Sequence, residues 1–236
     1  MKILLFSLAG LWMAFAGLRY GWKFIRQYGN YLLGLEWIIM GSSSLNYLVW
    51  SLTGASPTNP QALGVYFLDS FSRSVGLTLM MVMGLMGATH RYKPSLVVDV
   101  GVFGLGTVAG LYLMGFETMP GLHVRPASIF VAANVLTTLF LVYFSIRLWK
   151  IGAKSLAAWA GVATAAGFVT ALCYDFFPWT FDDAPRAGTL FAIYALTTWG
   201  TQLFVYYLAY RALHNHKVAS EGNRGPRLQT AGPATP

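Results

Sequence analysis

Asp69 and Arg73 stand four residues apart, acid first, inside the apolar stretch Gly64 to Ala88, GVYFLDSFSRSVGLTLMMVMGLMGA. On a helix that spacing lets the two pair along one face. An ionisable pair within a membrane-length stretch is the chemistry of a substrate or proton site. Asp69 lies about 8 Å along a helix that starts at Gly64, which puts the pair in the outer half of a membrane. The plainer alternative is a helix that starts late. Both residues then sit at the interface with Arg73 reaching outward to water. Continued at helical spacing, the row reads Asp69, Arg73, Gly76, Met80, Gly84 and Gly87, polar at one end and small along the rest. Such a row faces other helices rather than lipid.

Glu36 and Asp99 are the second candidate pair. Each lies a few residues inside the inner end of its apolar run. Brought together, one of them would titrate high and form a proton acceptor on the inner side; kept apart, each is an interfacial carboxylate tied to a Lys or Arg. A third group is the polar knot Ser42, Ser43, Ser44 and Asn46, which falls near the midplane. Serines there ordinarily bond the carbonyl one turn back or let helices pack closely. Alternatively, Asn46, Asn134, Thr198 and Gln202 line a common polar cavity, with Tyr194, Thr198, Gln202 and Tyr206 forming one stripe of the last run. The candidate substrate-binding or coupling residues are therefore Asp69, Arg73, Asn46, Asn134, Gln202, Glu36 and Asp99.

Other chemistry lacks the residues it needs. Cys173 is the one cysteine, so neither an intrachain disulfide nor a cysteine-built zinc or iron–sulfur site can form. His90, His123, His214 and His216 fall at loops or segment ends, which leaves a haem in the bilayer without ligands. No run carries a central lysine for a retinal Schiff base. Gly101, Gly104 and Gly106 do not fit the dinucleotide fingerprint, whereas Gly106 and Gly110 form a GxxxG pair suited to close helix approach. No catalytic residue, metal ligand or cofactor is assigned. The loop Tyr174 to Arg186 sets Asp175, Asp182 and Asp183 among Phe176, Phe177, Trp179 and Phe181, read as an interfacial aromatic belt or as a lid over the outer mouth.

Composition decides what holds these residues. The 236-residue chain is 56% hydrophobic and 10% charged, against about 25% charged for a soluble domain. Apolar runs near the ~20 residues of a spanning helix occur at Ile3–Leu18, Tyr31–Leu52, Gly64–Ala88, Ser95–Phe116, Ala127–Leu148, Leu156–Tyr174 and Ala187–Tyr210. They predict an all-α polytopic bundle of seven transmembrane helices over residues 1–212. A Gly-, Pro- and Asn-rich cytoplasmic tail, 213–236, is expected to be disordered. The first run also has the look of a signal peptide, and charge argues for keeping it. With the N-terminus outside and the C-terminus cytoplasmic, Arg19, Lys23, Arg26, Arg91, Lys93, Arg147, Lys150, Lys154, Arg211, Lys217, Arg224 and Arg227 all lie inside. Only Lys2, Arg125 and Arg186 lie outside, as the positive-inside rule requires. Removing the first helix would invert that bias. The net charge of +8 is thus orientation charge, and nucleic acid is not an expected partner.

Short loops and the lack of a soluble domain place the chain in a cell inner (cytoplasmic) membrane, with the lipid bilayer as its first partner. Three functions fit. The first is a carrier for a small solute or ion, binding near Asp69 and Arg73 with Asn46, Asn134 and Gln202 deeper. The second is a non-catalytic subunit or assembly factor, which implies a membrane-protein partner or a homo-oligomer. The third is a membrane enzyme for a lipid-soluble substrate, with Glu36 and Asp99 as acid and base. It ranks last because no activated nucleophile accompanies them.

Overall fold

The computed structural model describes residues 1–54, 56, 59–90, 92, 94–117, 123–176 and 190–222. Among the described residues every regular element is helical: α1 (Lys2–Tyr28), α2 (Tyr31–Thr53), α3 (Pro60–Phe71), a π-helical segment (Ser72–Met81), α4 (Val82–Thr89), α5 (Leu96–Glu117), α6 (Val124–Lys150), α7 (Lys154–Phe176) and α8 (Leu190–Gly222). The helices α1, α2, α5, α6 and α7 are each long and apolar enough to cross a membrane. The run α3–π–α4 makes a sixth if its two arms, bent by 47° at the break, count as one span.

The helices α1 and α2 form a hairpin closed by Gly29, left-handed at φ 60°, and Asn30, whose side chain accepts from the Leu33 N–H at 3.2 Å. Their backbones nearly touch. A Cβ on Gly17 would lie 2.6 Å from Gly41 Cα and 2.5 Å from the Trp37 carbonyl oxygen, and one on Gly21 would lie 2.6 Å from the Gly34 oxygen. Close approach of this kind is what small residues provide between membrane helices. Ser44 adds a hydrogen bond across the same interface, donating to the Gly10 carbonyl at 2.9 Å.

From this hairpin the helices close into a ring. The helix α1 packs on α8, α8 on α7, α7 on α6, and α6 on the π segment, which returns to α2. The buried centre of the ring holds Phe24, Trp37, Phe144, Leu148, Tyr206 and Tyr207, with Trp37 Nε1 donating to the Leu203 carbonyl at 3.2 Å. Outside the ring, α5 lies against α3 and the π segment. Phe71 fits the hollow over Gly106 and Gly110, where a Cβ on Gly110 would come 3.1 Å from Phe71 Cα. Much of α5 is left bare of protein, including Val97, Val100, Val108 and Leu111.

Three features depart from the sequence expectation. The first helix does not stop at Leu18 but runs to Tyr28. Its cations find rings on the way: Lys23 lies 5.4 Å from both the Tyr20 and Tyr207 centroids, and Arg26 lies 5.2 Å from Trp22. The last helix continues to Gly222, so 213–222 are ordered as helix where a loose tail was expected. Buried Leu213 and His214, whose ring stacks on Tyr210 and meets Tyr28 edge-on, anchor that extension. The third departure is the π segment. Ser74 Oγ donates to the Ser70 carbonyl at 2.6 Å and Thr78 Oγ1 to the Ser74 carbonyl at 3.0 Å. Hydroxyls competing for helix carbonyls in this way bend helices, and Gly76 between them adds backbone freedom. The stretch 177–189, with Phe177, Trp179, Phe181, Asp182, Asp183 and Arg186, lies outside the described residues, as do Arg91, Lys93, Arg224, Arg227 and the side chain of Asp175.

Candidate functional site

Glu36 points from α2 at the π segment and is wholly buried. A Cβ added to Gly76 would lie 2.7 Å from Oε2 and 2.8 Å from Oε1, so the missing side chain at 76 is what makes room for the carboxyl. Neither carboxyl oxygen has a hydrogen-bond partner. Ser72 is the polar side chain that faces it, yet the Ser72 hydroxyl does not reach hydrogen-bond geometry. Leu32 and Ile39, a turn away on either side along α2, belong to the apolar cluster of Phe71, Met80 and Val102. A carboxylate taken out of water without a cation costs several kcal/mol. The arrangement therefore calls for a neutralising partner, a proton or a small cation.

Toward the start of the bent helix, Arg73 lies one turn and Asp69 two turns before Gly76. Arg73 Nε is 2.9 Å from Asp69 Oδ2, with the two side chains 10% and 19% exposed. The guanidinium is also held between two rings, 4.1 Å from the Phe130 centroid on α6 and 4.2 Å from that of Tyr174 on α7. Desolvated cation–π contacts of this kind are among the stronger ones. The single-face row expected from Asp69 to Gly87 is thus split. Gly76, Gly84 and Gly87 meet Glu36, Leu33 and Asn30 on or beside α2, while Arg73 is turned to α6 and α7. A π turn carries more residues than an α turn, so side chains beyond it fall out of the straight-helix row.

The remaining candidates are dispersed. Asp99 sits half-buried in the first turn of α5, with Oδ1 lacking a hydrogen-bond partner, and no interaction joins it to Glu36. Asn46 brackets the start of α3, donating from Nδ2 to the Gln61 carbonyl at 3.4 Å. Asn134 stays on its own helix and accepts from Thr138 at 3.4 Å. Gln202 donates to the Tyr206 hydroxyl at 3.1 Å, which pairs with Thr164 at 2.8 Å, and it packs on Gly167. Tyr194, at the other end of that stripe, is exposed. The three amides therefore have three separate sets of partners. Among the described residues no group of three or more His, Cys, Asp or Glu is placed to hold a metal ion.

Sequence reasoning did not single out Ser72, Phe130 or Tyr174. Phe130 and Tyr174 are distant in sequence from Arg73 and carry no spacing signal. Ser72, next to Arg73, had one, since a hydroxyl beside an intramembrane charge is a candidate neighbour for any ligand there. Comparison of the chain with protein-family models, with curated proteins and with solved structures gives no match, so the functional reading rests on the site.

Proposed function

We propose that the chain is a carrier for a small solute or ion in a cell inner membrane, with Glu36 as the group that binds and releases the coupling charge. The carrying observation is that Glu36 is fully buried, unpartnered, and set against a glycine of a bent, π-helical segment. A buried charge site on a broken helix is how carriers expose ligand groups inside a membrane. Seven spans, with α8 as the seventh, the N-terminus outside and the C-terminus in the cytoplasm, accord with the Lys and Arg placement and the positive-inside rule. Asp69 and Arg73 then lie toward the outer mouth.

The test is flux. Purified protein is reconstituted in liposomes, an inward proton, sodium or potassium gradient is applied, and internal pH or ion content is followed. Glu36→Gln, which keeps shape but cannot carry charge, should abolish the flux. Undiminished flux in Glu36→Gln removes this reading.

A further inference from the structure

In a straight α-helix Arg73 shares a face with Gly76, Gly84 and Gly87, because all fall at three- or four-residue steps. Gly76 and Gly84 face α2, Gly76 meeting Glu36 itself, and Gly87 lies beside its start against Tyr210 and Asn30. An all-α version of the bent helix would therefore carry the Arg73 guanidinium into the row that meets Glu36. The π segment takes it out of that row, and the Phe130 and Tyr174 rings with Asp69 hold it there. One change of helical register thus decides whether the buried carboxyl has an internal cation or none.

We propose that Glu36 is a binding site for a single positive charge, a proton or an alkali cation, and that Arg73 is the internal cation that competes for it when Ser72–Met81 returns from π- to α-helix. In the π form the carboxyl is open to its ligand; in the α form the guanidinium replaces the ligand and expels it. The facing groups are consistent with a monovalent ligand. Ser72 is the polar side chain that faces the carboxyl from the bent helix, and no carboxylate is among the groups that act on Glu36. Two carboxylates would be the mark of a divalent ion. The proposal deepens the carrier reading and rests on its site, Glu36. Its test reads binding instead of flux, so each can fail without the other.

Full-length protein in lipid nanodiscs is titrated with acid, and separately with sodium or potassium chloride against a bulky organic cation. The Glu36 carboxyl is followed by infrared difference spectroscopy, its band identified by its loss in Glu36→Gln. Arg73→Gln removes the competitor and should raise the affinity for the charge, about twofold where the open and paired forms are equally populated without ligand. Phe130→Leu loosens the ring that holds Arg73 away and should lower the affinity about fivefold. Residues that merely support the site would weaken binding in both variants, so the opposite signs are the signature. A band that follows pH and ignores salt names the proton; one that follows sodium or potassium names the ion. If Arg73→Gln does not fold, Phe130→Leu carries the test. Equal or higher affinity in Phe130→Leu overturns the proposal, as does an unchanged affinity in a folded Arg73→Gln.

Discussion

The carboxyl of Glu36 occupies the space that a side chain on Gly76 would need: a Cβ there would come within 2.9 Å of all three carboxyl atoms. The first prediction follows from that fit. Gly76→Ala should displace the carboxyl and cut Glu36-dependent flux at least tenfold. Glu36→Asp withdraws the carboxyl by one methylene, so the double variant Gly76→Ala/Glu36→Asp should recover part of what Gly76→Ala loses. Recovery of that kind is not expected if Gly76→Ala acts by general disruption of the helix. Flux in the double variant no better than in Gly76→Ala alone would argue against direct contact.

The hairpin gives a second prediction. Gly17→Ala puts a methyl into the backbone of α2, where the Trp37 oxygen lies 2.5 Å and Gly41 Cα 2.6 Å away. Neither atom is the flexible end of a side chain, so the helices must part. Overpacking typically costs about 1–3 kcal/mol, and separation here would also stretch the Ser44–Gly10 bond. Gly101→Ala on α5 meets nothing within 4 Å and should leave stability unchanged. Thermal unfolding in detergent of the two variants and wild type checks both halves. A Gly17→Ala protein as stable as Gly101→Ala would mean the hairpin is looser than its contacts indicate.

These two contacts also mark how far the sequence could be read. Membrane-length apolar runs and the Asp69–Arg73 spacing are local properties, visible in any window of the chain. The GxxxG pair Gly17 and Gly21 was equally present. Arg19 and Lys23, however, make 19–26 look like a cytoplasmic loop, and only the Tyr20, Tyr207 and Trp22 rings explain how those cations stay on a helix. Glu36 reads as an ordinary interfacial carboxylate, because its isolation is made by Gly76 of another helix. The π segment has no proline to announce it. Ser74 and Thr78 donate to the backbone carbonyls one turn back, but Thr137, Thr164 and Thr170 do the same on α6 and α7 without a break, so those residue types do not mark it in the sequence. The common cavity read from Asn46, Asn134, Thr198 and Gln202 requires polar groups on different helices to converge, and the hydrogen bonds of the three amides run to Gln61, Thr138 and Tyr206.

The ion pair gives a third prediction. Breaking a largely buried pair by removing one partner leaves an uncompensated charge and costs on the order of 3 kcal/mol, whereas removing both is far milder. Arg73 and Asp69 are 10% and 19% exposed, so part of that cost is screened. Asp69→Asn should therefore destabilise the protein more than Asp69→Asn/Arg73→Gln does. Unfolding midpoints of the single and double variants decide it. If the double variant is the less stable of the two, the pair is not the main partner of either charge and the rings around Arg73 carry more of the balance.

The fourth prediction concerns His214, beyond Tyr210, where the proposed seventh span ends. Burial against Tyr28 and Tyr210 pushes its pKa below the ordinary 6.5, Lys217 pushes it the same way, and Glu221 opposes them. The folded protein thus prefers the neutral ring. Above pH 6.5 the ring is neutral in both the folded and unfolded states, and stability does not depend on it. As pH falls below 6.5 the unfolded chain takes up the proton first, so the folded state loses ground until its own lowered value is passed. Unfolding temperature should therefore decline from about pH 6.5 downward. His214→Phe keeps a ring between Tyr28 and Tyr210 but cannot titrate, and it should flatten that part of the curve while matching wild type at pH 8. Curves for wild type and His214→Phe that stay parallel from pH 8 to pH 5 would place the acid sensitivity on other groups and leave His214 with a packing role alone.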